Sequence, residues 1–430
     1  MDEIKSKKND KNFFELIKII SFSIIGITFF FIPFSRISPV FSISDLIYLK
    51  HQKFIYLCMI LFISLVLIKE IYEKEKNILD IAIKIISIVI LIIFVFKNEF
   101  IFFKNQDLVK IMEESIFKIA IFFPISAMFL PFLLEYGLLN ILDGCFSRFT
   151  KKFFRVSGKN ILIFAVFFFV DTFVGLYVVC KLYKDGKLRK NECVNAILNY
   201  PILQIYLTMY VANQLKLNFI TLLLCYLLIF SVVNLIICRI YPIKKIQRTF
   251  FVKNKYKEKN YRKNKFKMSI AMYLENKEKK SLFKFIFEYL NEAINIVVDM
   301  IPILIISFLF MDFLIRNSIL INFIGAIYTN FLEILRIPCS DYVGKSISLA
   351  FFNQIYAIEV LNNKITFISK LIVAIIVICQ GISLTTNIIF IRKYMRFITY
   401  KDILLVYLQK VVIMVLIVFS VYYFYLGFSM

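Results

Sequence analysis

The chain has 430 residues, 60% of them hydrophobic, and its mean hydropathy is +0.78. No soluble domain of this size carries so many uninterrupted apolar runs of about 20 residues, so the composition predicts a polytopic membrane protein. The net charge of +24 would suit nucleic-acid binding in a soluble protein, but here the basic residues lie between apolar segments. Loops beside anionic lipid explain that charge more simply, and we expect no nucleic-acid partner.

The residue patterns that carry most enzyme chemistry are absent from the sequence. The chain contains one His, no Cys-x-x-Cys pair, no P-loop, no dinucleotide fingerprint and no nucleophile elbow. The eight Cys fall mostly in apolar runs, which is typical of small buried hydrophobic residues. The sequence therefore predicts a protein that is not an enzyme and that has no catalytic residue, metal site or cofactor.

Taken in order, the apolar segments predict an all-α membrane protein with about nine transmembrane helices and two short re-entrant or broken segments. Residues 1–12 predict a charged cytoplasmic tail, and residues 13–115 contain the N-terminal transmembrane helices. His51 falls between two of these helices, in a predicted loop. The predicted spans are about Phe14–Phe34, Phe54–Ile71, Ile78–Phe96, Ile116–Leu134, Val194–Leu215, Phe219–Tyr241, Phe285–Ile315, Ile365–Phe390 and Ile403–Phe424.

The segment from Lys159 to Tyr183 differs from these spans. It is apolar and long enough to cross a membrane, yet Asp171–Gly175 interrupts its middle and basic residues flank both ends. Because cytoplasmic loops collect Lys and Arg, two basic ends predict a re-entrant hairpin with its tip near the interruption. The basic residues in 181–190 then predict a solvated cytoplasmic edge. A straight span whose outer flank is basic is the alternative.

The interrupted segments divide the rest of the chain into units. Residues 116–241 form the first unit, and residues 285–430 form a second unit that contains another short polar segment, about Ser346–Leu361. Between them, residues 242–284 form a basic loop that predicts a cytoplasmic location, on the same side as the N-terminus. We therefore expect a multi-pass protein of the bacterial cytoplasmic membrane.

The two units also show a weak internal similarity. A shift that places Gly144 on Gly325 also places Arg155 on Arg336, and the order of the predicted elements is the same in both halves. Because one unit begins outside and the other inside, the pattern predicts an inverted-topology repeat, an architecture that binds substrate near the membrane midplane. Chance similarity within a chain rich in Ile and Phe is the alternative.

The stretch DTFVGLYVVCKLYKDGKLRKNECVNAIL, which starts at Asp171, resembles the YjiH-type membrane proteins that carry a nucleoside-recognition, or Gate, domain. The resemblance implies two Gate-like units and a transporter-like protein, and it leaves the substrate open, since related Gate domains occur in nucleoside transporters, ferrous-iron transporters and spore-maturation proteins. This chain departs from the family pattern in its second half, where Asn353 replaces an acidic residue. The matching positions are Val174, Gly175, Tyr183, Lys184, Gly186, Lys187 and Glu192.

Asp171 is the leading candidate for a functional residue. A carboxylate at the centre of a membrane helix costs about 2.5–3.5 kcal/mol, so it should face a cavity or a partner. Backbone carbonyls beside the break could add oxygen ligands, whereas the alternative role of Asp171 is to cap the helix that follows. The other polar side chains could line a cavity or bind helices to one another. The candidate residues for substrate or ion binding are Asp171, Thr172, Gly175, Asn199, Gln204, Asn353, Gln354 and Gln380.

Two functions fit these observations. The first is a secondary transporter of a polar small molecule, nucleoside-like or ion-coupled, that works by alternating access around the two broken segments. Its partners are the lipid bilayer, the solute and a coupling cation, and a homo-oligomer is compatible with it. The second is a non-transporting membrane scaffold or partner subunit. A polar cavity at the centre would favour transport, and a dry centre filled with Phe would favour the scaffold.

Overall fold

All regular elements in the described part of the structure are helices. Six of them are long and apolar enough to cross a membrane, which fits a multi-pass membrane protein and confirms the all-α prediction. The predicted count of about nine spans is not confirmed. Three of the predicted spans are not among these six helices: one is the first helix of the chain, and two are interrupted helices. The computed structural model describes residues 2–33, 38–73, 78–96, 106–252, 265–276, 280–317, 319–359, 365–381, 383 and 387–429.

Three helices precede the units: α1 (Asp2–Phe31), α2 (Pro39–Glu73) and α3 (Ile78–Phe96). Because α1 begins at Asp2, the predicted N-terminal tail is largely helical. His51 was expected in a loop, but it lies at a kink inside α2, where its φ is −127° and its ψ is 24°. The outer faces of α2 and α3 are apolar and exposed over much of their length, as lipid contact requires.

The first unit begins with one span that runs from Gln106 to Leu134. A π-helical turn, Lys118–Phe122, interrupts this span and separates its two α-helical parts. The helices of the first unit are α4 (Gln106–Phe117), α5 (Phe123–Leu134), α6 (Leu138–Phe153), α7 (Asn160–Phe169), α8 (Thr172–Lys184), α9 (Lys190–Asn199), α10 (Ile205–Gln214) and α11 (Phe219–Ile237).

The predicted basic loop contains a 3₁₀ turn, Ile243–Lys245, and one helix, α12 (Lys265–Asn276). Residues 253–264 and 277–279 of this loop lie outside the described residues. The second unit then repeats the order of helices seen in the first. Its helices are α13 (Leu282–Asn317), α14 (Ile319–Ile334), α15 (Ser340–Phe352), α16 (Gln354–Glu359), α17 (Phe367–Cys379), α18 (Ile389–Tyr394) and α19 (Tyr400–Ser429).

The similarity between the units extends to backbone geometry. Helices α6 and α14, which the internal alignment superposes end to end, both contain 16 residues. Each is followed by an arginine with a left-handed backbone, Arg155 at φ 59° and Arg336 at φ 52°. A left-handed conformation is uncommon for a residue other than glycine, so its recurrence at aligned positions supports the internal alignment beyond residue identity.

Helices α7 and α8 form a hairpin that turns at Asp171. Phe167 and Gly175 lie at equal sequence distances on either side of this turn, and they touch across the hairpin. A Cβ atom at Gly175 would lie 2.6 Å from the Phe167 ring, so only glycine permits this approach. Helices α15 and α16 fold back in the same way, with the Ser346 hydroxyl donating to the Ala357 carbonyl at 2.7 Å.

The predicted spans Val194–Leu215 and Ile365–Phe390 are wrong as continuous helices. The first is unwound between α9 and α10, where Pro201 has no N–H to continue a helix, and the second is unwound after Cys379. The two unwound segments cross antiparallel. Leu203 N donates to the Ile378 carbonyl at 2.9 Å, and Gly381 N donates to the Pro201 carbonyl at 2.9 Å.

Among the basic residues in 181–190, Lys184 is exposed as the sequence predicts, whereas Lys181 and Lys187 lie in ion pairs with little exposure. Lys187 pairs with Glu135 at 2.7 Å, with side chains only 13% and 9% exposed. Lys181 pairs with Glu292 of α13 at 2.5 Å. The prediction failed for these two residues because their acidic partners, Glu292 and Glu135, come from distant parts of the chain. The charges of a single loop do not show such partners. These ion pairs attach the first hairpin to both units.

Candidate functional site

The two hairpin turns and the unwound part of the first interrupted helix meet around a polar cavity of about 100 Å³. A polar cavity of this size holds several water molecules or a small solute group. Its walls come from both units, so neither unit forms the cavity alone. The polar residues that line it are Glu114, Ser115, Lys118, Asp171, Thr172, Gln204, Asn353, Gln354, Ser383 and Asn387.

Asp171 is held at the turn of the first hairpin. Its backbone is extended, with φ −164° and ψ 150°, and its side chain caps α8 by accepting a 2.7 Å hydrogen bond from Phe173 N. Its second carboxylate oxygen accepts a hydrogen bond from the Gln204 amide. Asp171 therefore caps α8, which was the alternative role predicted for it, and its carboxylate also lines the cavity.

Asn353 occupies the equivalent place in the second hairpin. Its backbone is also extended, with φ −150° and ψ 128°, and its side-chain oxygen accepts a 3.0 Å bond from Ile355 N. The capping relation, to the N–H two residues further on, is the same as at Asp171. Because a neutral amide caps as well as a carboxylate, Asn353 forms the same turn as Asp171 without adding a negative charge to the cavity.

Gln204 and Thr172 connect the first hairpin to the first interrupted helix. The Thr172 hydroxyl donates to the Ile202 carbonyl at 3.0 Å. Gln204 is 3% exposed, and its own side-chain oxygen has no hydrogen-bond partner in the described part of the chain. A buried amide oxygen without a partner is costly, so Gln204 offers an acceptor to a donor that enters the cavity.

Helix ends add to the polarity of the cavity. Asp171 and Gln204 are the N-cap residues of α8 and α10, so the first turns of both helices point their N–H groups towards the cavity. A helix N-terminus carries partial positive charge that favours negatively charged or hydrogen-bond-accepting groups. The cavity thus presents donors as well as the Asp171 carboxylate.

Lys118 is a cavity residue that the sequence analysis did not select. It opens the π-helical turn and lies within electrostatic reach of Asp171. The signal was present, since an ionisable residue inside a predicted span marks a functional position by default. On the opposite wall, Asn387 donates from its amide to the Gly381 carbonyl. The cavity thus carries one ammonium and several amides in addition to the carboxylates of Asp171 and Glu114.

Three of the eight predicted site residues do not line the cavity. Gly175 lies inside α8, beyond the break, where its role is close packing against the first half of the hairpin. Asn199 is fully buried as the last residue of α9. Gln380 is also fully buried, and its side chain donates to the Tyr407 carbonyl at 2.8 Å. The structure brings the other five together.

Glu192, one of the residues on which the predicted resemblance to Gate-domain proteins rests, has a structural role. Its carboxylate accepts hydrogen bonds from Ser157 N at 2.6 Å and from Arg189 N at 3.1 Å. These bonds join the start of α9 to the loop before α7. Glu192 does not line the cavity.

Comparison of the chain with known proteins yields no family. No protein-family model, no curated protein and no solved structure matches it. Within the described ranges, no group of three or more His, Cys, Asp and Glu is placed to hold a metal ion. The function therefore has to be argued from the cavity and the architecture.

Proposed function

We propose that this protein is a secondary transporter of a polar small molecule and that the cavity is its solute site. The observation that carries the proposal is the convergence of five predicted residues, Asp171, Thr172, Gln204, Asn353 and Gln354, on one cavity between the units. A scaffold has no need of a cavity lined by so many polar side chains, because polar groups that become buried cost free energy unless they are hydrogen-bonded.

The architecture supports the same proposal. Two units with the same order of helices, and interrupted helices that cross antiparallel, are what an inverted-topology repeat would produce. Transporters of this kind bind their solute near the bilayer midplane, between half-helices whose N-termini point at it. We therefore infer two Gate-like units with re-entrant hairpins α7–α8 and α15–α16, with the N-terminus in the cytoplasm of a bacterial cell.

The hydrogen bonds in the cavity suggest how a solute would enter it. The Gln204 amide donates to Asp171 in the present structure. A solute with a hydroxyl or amine donor would take the place of that amide, and the released Gln204 side chain would then bind a second solute group. Since the cavity holds about 100 Å³, a nucleoside-sized solute would also require the units to move apart.

A scaffold remains the second candidate, and one observation favours it. Asp171 is the only carboxylate of the two hairpin turns, and both of its oxygens already accept hydrogen bonds. A site in that state binds a solute only if it gives up bonds that it already has. The two candidates differ in whether water and solute reach the cavity.

The re-entrant hairpin is tested by labelling single cysteines with a membrane-impermeant thiol reagent. On a background without native cysteines, we expect Lys159→Cys and Lys184→Cys each to react from the same face as a reference protein that retains only the exposed Cys145, in inside-out vesicles and not in intact cells. Cys145 serves as the reference because it lies on α6, just before the hairpin. Reaction of the two positions from opposite faces would show that residues 159–184 form a straight span and would contradict the inverted repeat.

A further inference from the structure

Lys410 lies in the middle of α19, and its side chain is fully buried. Its ammonium donates to two backbone carbonyls, Cys379 O at 3.1 Å and Asn199 O at 3.3 Å. These two residues are the last of α17 and α9, so one ammonium bridges the C-terminal ends of both interrupted helices. The cavity described above does not include Lys410.

The helix breaks themselves create the two acceptors. In a continuous helix the Asn199 carbonyl would accept from Leu203 N, but Leu203 N donates instead to the Ile378 carbonyl at 2.9 Å. The carbonyls at a helix C-terminus are left without helical partners and carry partial negative charge. Two such ends that meet inside a membrane form a site for a cation.

The surroundings of the Lys410 ammonium contain further side-chain oxygen atoms, but no carboxylate of the described residues pairs with it. Lys410 forms no ion pair with a carboxylate among the residues that the structure describes. Asn199 and Gln380 each leave a buried side-chain oxygen without a hydrogen-bond partner in that part of the chain. A buried lysine that has no carboxylate partner keeps its charge only if other groups stabilise it, and here those groups are the two helix ends.

We propose that the Lys410 ammonium is a tethered cation, which occupies a position that would otherwise bind a free monovalent cation. Discontinuous helices in membrane transporters use their C-terminal carbonyls in this way to coordinate Na⁺. With the position filled by its own side chain, the protein needs no free Na⁺ there. If the protein is a transporter, it follows that transport needs no Na⁺ at this position, and this consequence rests on the proposed function. The occupation of the cation position by Lys410 does not rest on it.

The test is chemical rescue of Lys410→Ala in detergent. This substitution removes three carbons and the ammonium, which are the atoms of propylammonium. In choline chloride we expect the variant to unfold at a temperature lower by about 5 °C or more, and millimolar propylammonium chloride to restore most of that loss. The neutral analogue 1-propanol should restore none, and the melting of the wild type should not respond to replacement of choline by Na⁺.

Two further variants keep the proposal falsifiable if Lys410→Ala does not fold. Lys410→Arg retains the charge, and Lys410→Gln removes it while retaining a polar side chain. We expect a folded, monodisperse protein from the arginine variant and a strongly reduced yield from the glutamine variant. Equal yields from these two, or equal rescue by 1-propanol and propylammonium, would overturn the tethered cation. Because no transport is measured, failure here would leave the proposed solute site untouched.

Discussion

Replacing Lys187 with Met is expected to destabilise the protein by about 3–5 kcal/mol, because it leaves the buried Glu135 carboxylate without its cation. Glu135 accepts two bonds from Lys187, at 2.8 and 2.7 Å, and one from Tyr289 at 2.6 Å. The three residues come from the end of α5, the loop after α8 and α13. Their loss would leave Lys181 and Tyr177, which both contact Glu292, to attach the first hairpin to the second unit.

The matched control is the double variant Glu135→Gln/Lys187→Met, which removes both charges and keeps an acceptor for Tyr289. We expect it to recover to within about 1 kcal/mol of the wild type, since a neutral pair of similar volume usually replaces a buried ion pair without loss. Unfolding can be followed with a thiol-reactive dye, because Cys180, Cys193 and Cys379 are buried. A single variant as stable as the wild type would show that the pair is not structural.

The same pair predicts how stability depends on pH. Burial alone would raise the pKa of Glu135, but the charge and hydrogen bonds of Lys187, the Tyr289 hydrogen bond and the charge of Lys181 together hold that pKa below its usual value. A depressed carboxyl pKa stabilises the folded state above the unfolded pKa of about 4.3, and this stability is lost as the pH falls further. The double variant should therefore lose less stability than the wild type as the pH falls from about 5 to about 3.

Asp171→Ala is expected to cost about 2–4 kcal/mol, from the lost cap of α8 and from the Gln204 amide, which is left buried without an acceptor. Asp171→Asn should cost less than about 1 kcal/mol. Its side-chain oxygen can still cap α8, and Gln204 can rotate so that its oxygen faces the new amide. Asn353 already fills the equivalent position of the second unit in this way.

Thermal unfolding of the two Asp171 variants distinguishes the stability that comes from capping α8 from the stability that comes from the negative charge. A large loss in Asp171→Ala and a small loss in Asp171→Asn would assign the stability to hydrogen bonding and leave the charge free for solute recognition. Equal losses in both variants would show instead that the charge itself, opposite Lys118, holds the first hairpin turn against the π-helical turn of the same unit. In that case the carboxylate would be a structural partner and not a binding group.

The sequence was sufficient to locate the first hairpin and much of the cavity. The interruption at Asp171 lies inside an apolar segment that is basic at both ends, and that combination is specific enough to predict a turn. Polar side chains such as Gln204 and Asn353 stand out in membrane segments because hydrocarbon penalises them. These signals are local, so a single sequence displays them.

The interrupted helices were missed because hydropathy does not report backbone geometry. The segments around Pro201 and Gly381 are apolar enough to pass as continuous spans, and only the two residue types hint at a break. The reason for the break lies in the other unit, since each unwound segment takes its hydrogen bonds from its counterpart. Lys410, like Lys118, was visible as an ionisable residue inside a predicted span, but its acceptors exist only where the two units cross, so the sequence does not show what it binds.

We propose that the cavity is a solute site that opens to each side of the membrane in turn. A single cysteine at Ser115, which lines the cavity, tests it directly on a background without native cysteines. We expect an impermeant thiosulfonate to modify Ser115→Cys both in intact cells and in inside-out vesicles, and to modify Ser126→Cys, fully buried in the same span, in neither. Reaction of Ser115→Cys from one side only, or from neither side, would contradict alternating access and leave the scaffold as the better account.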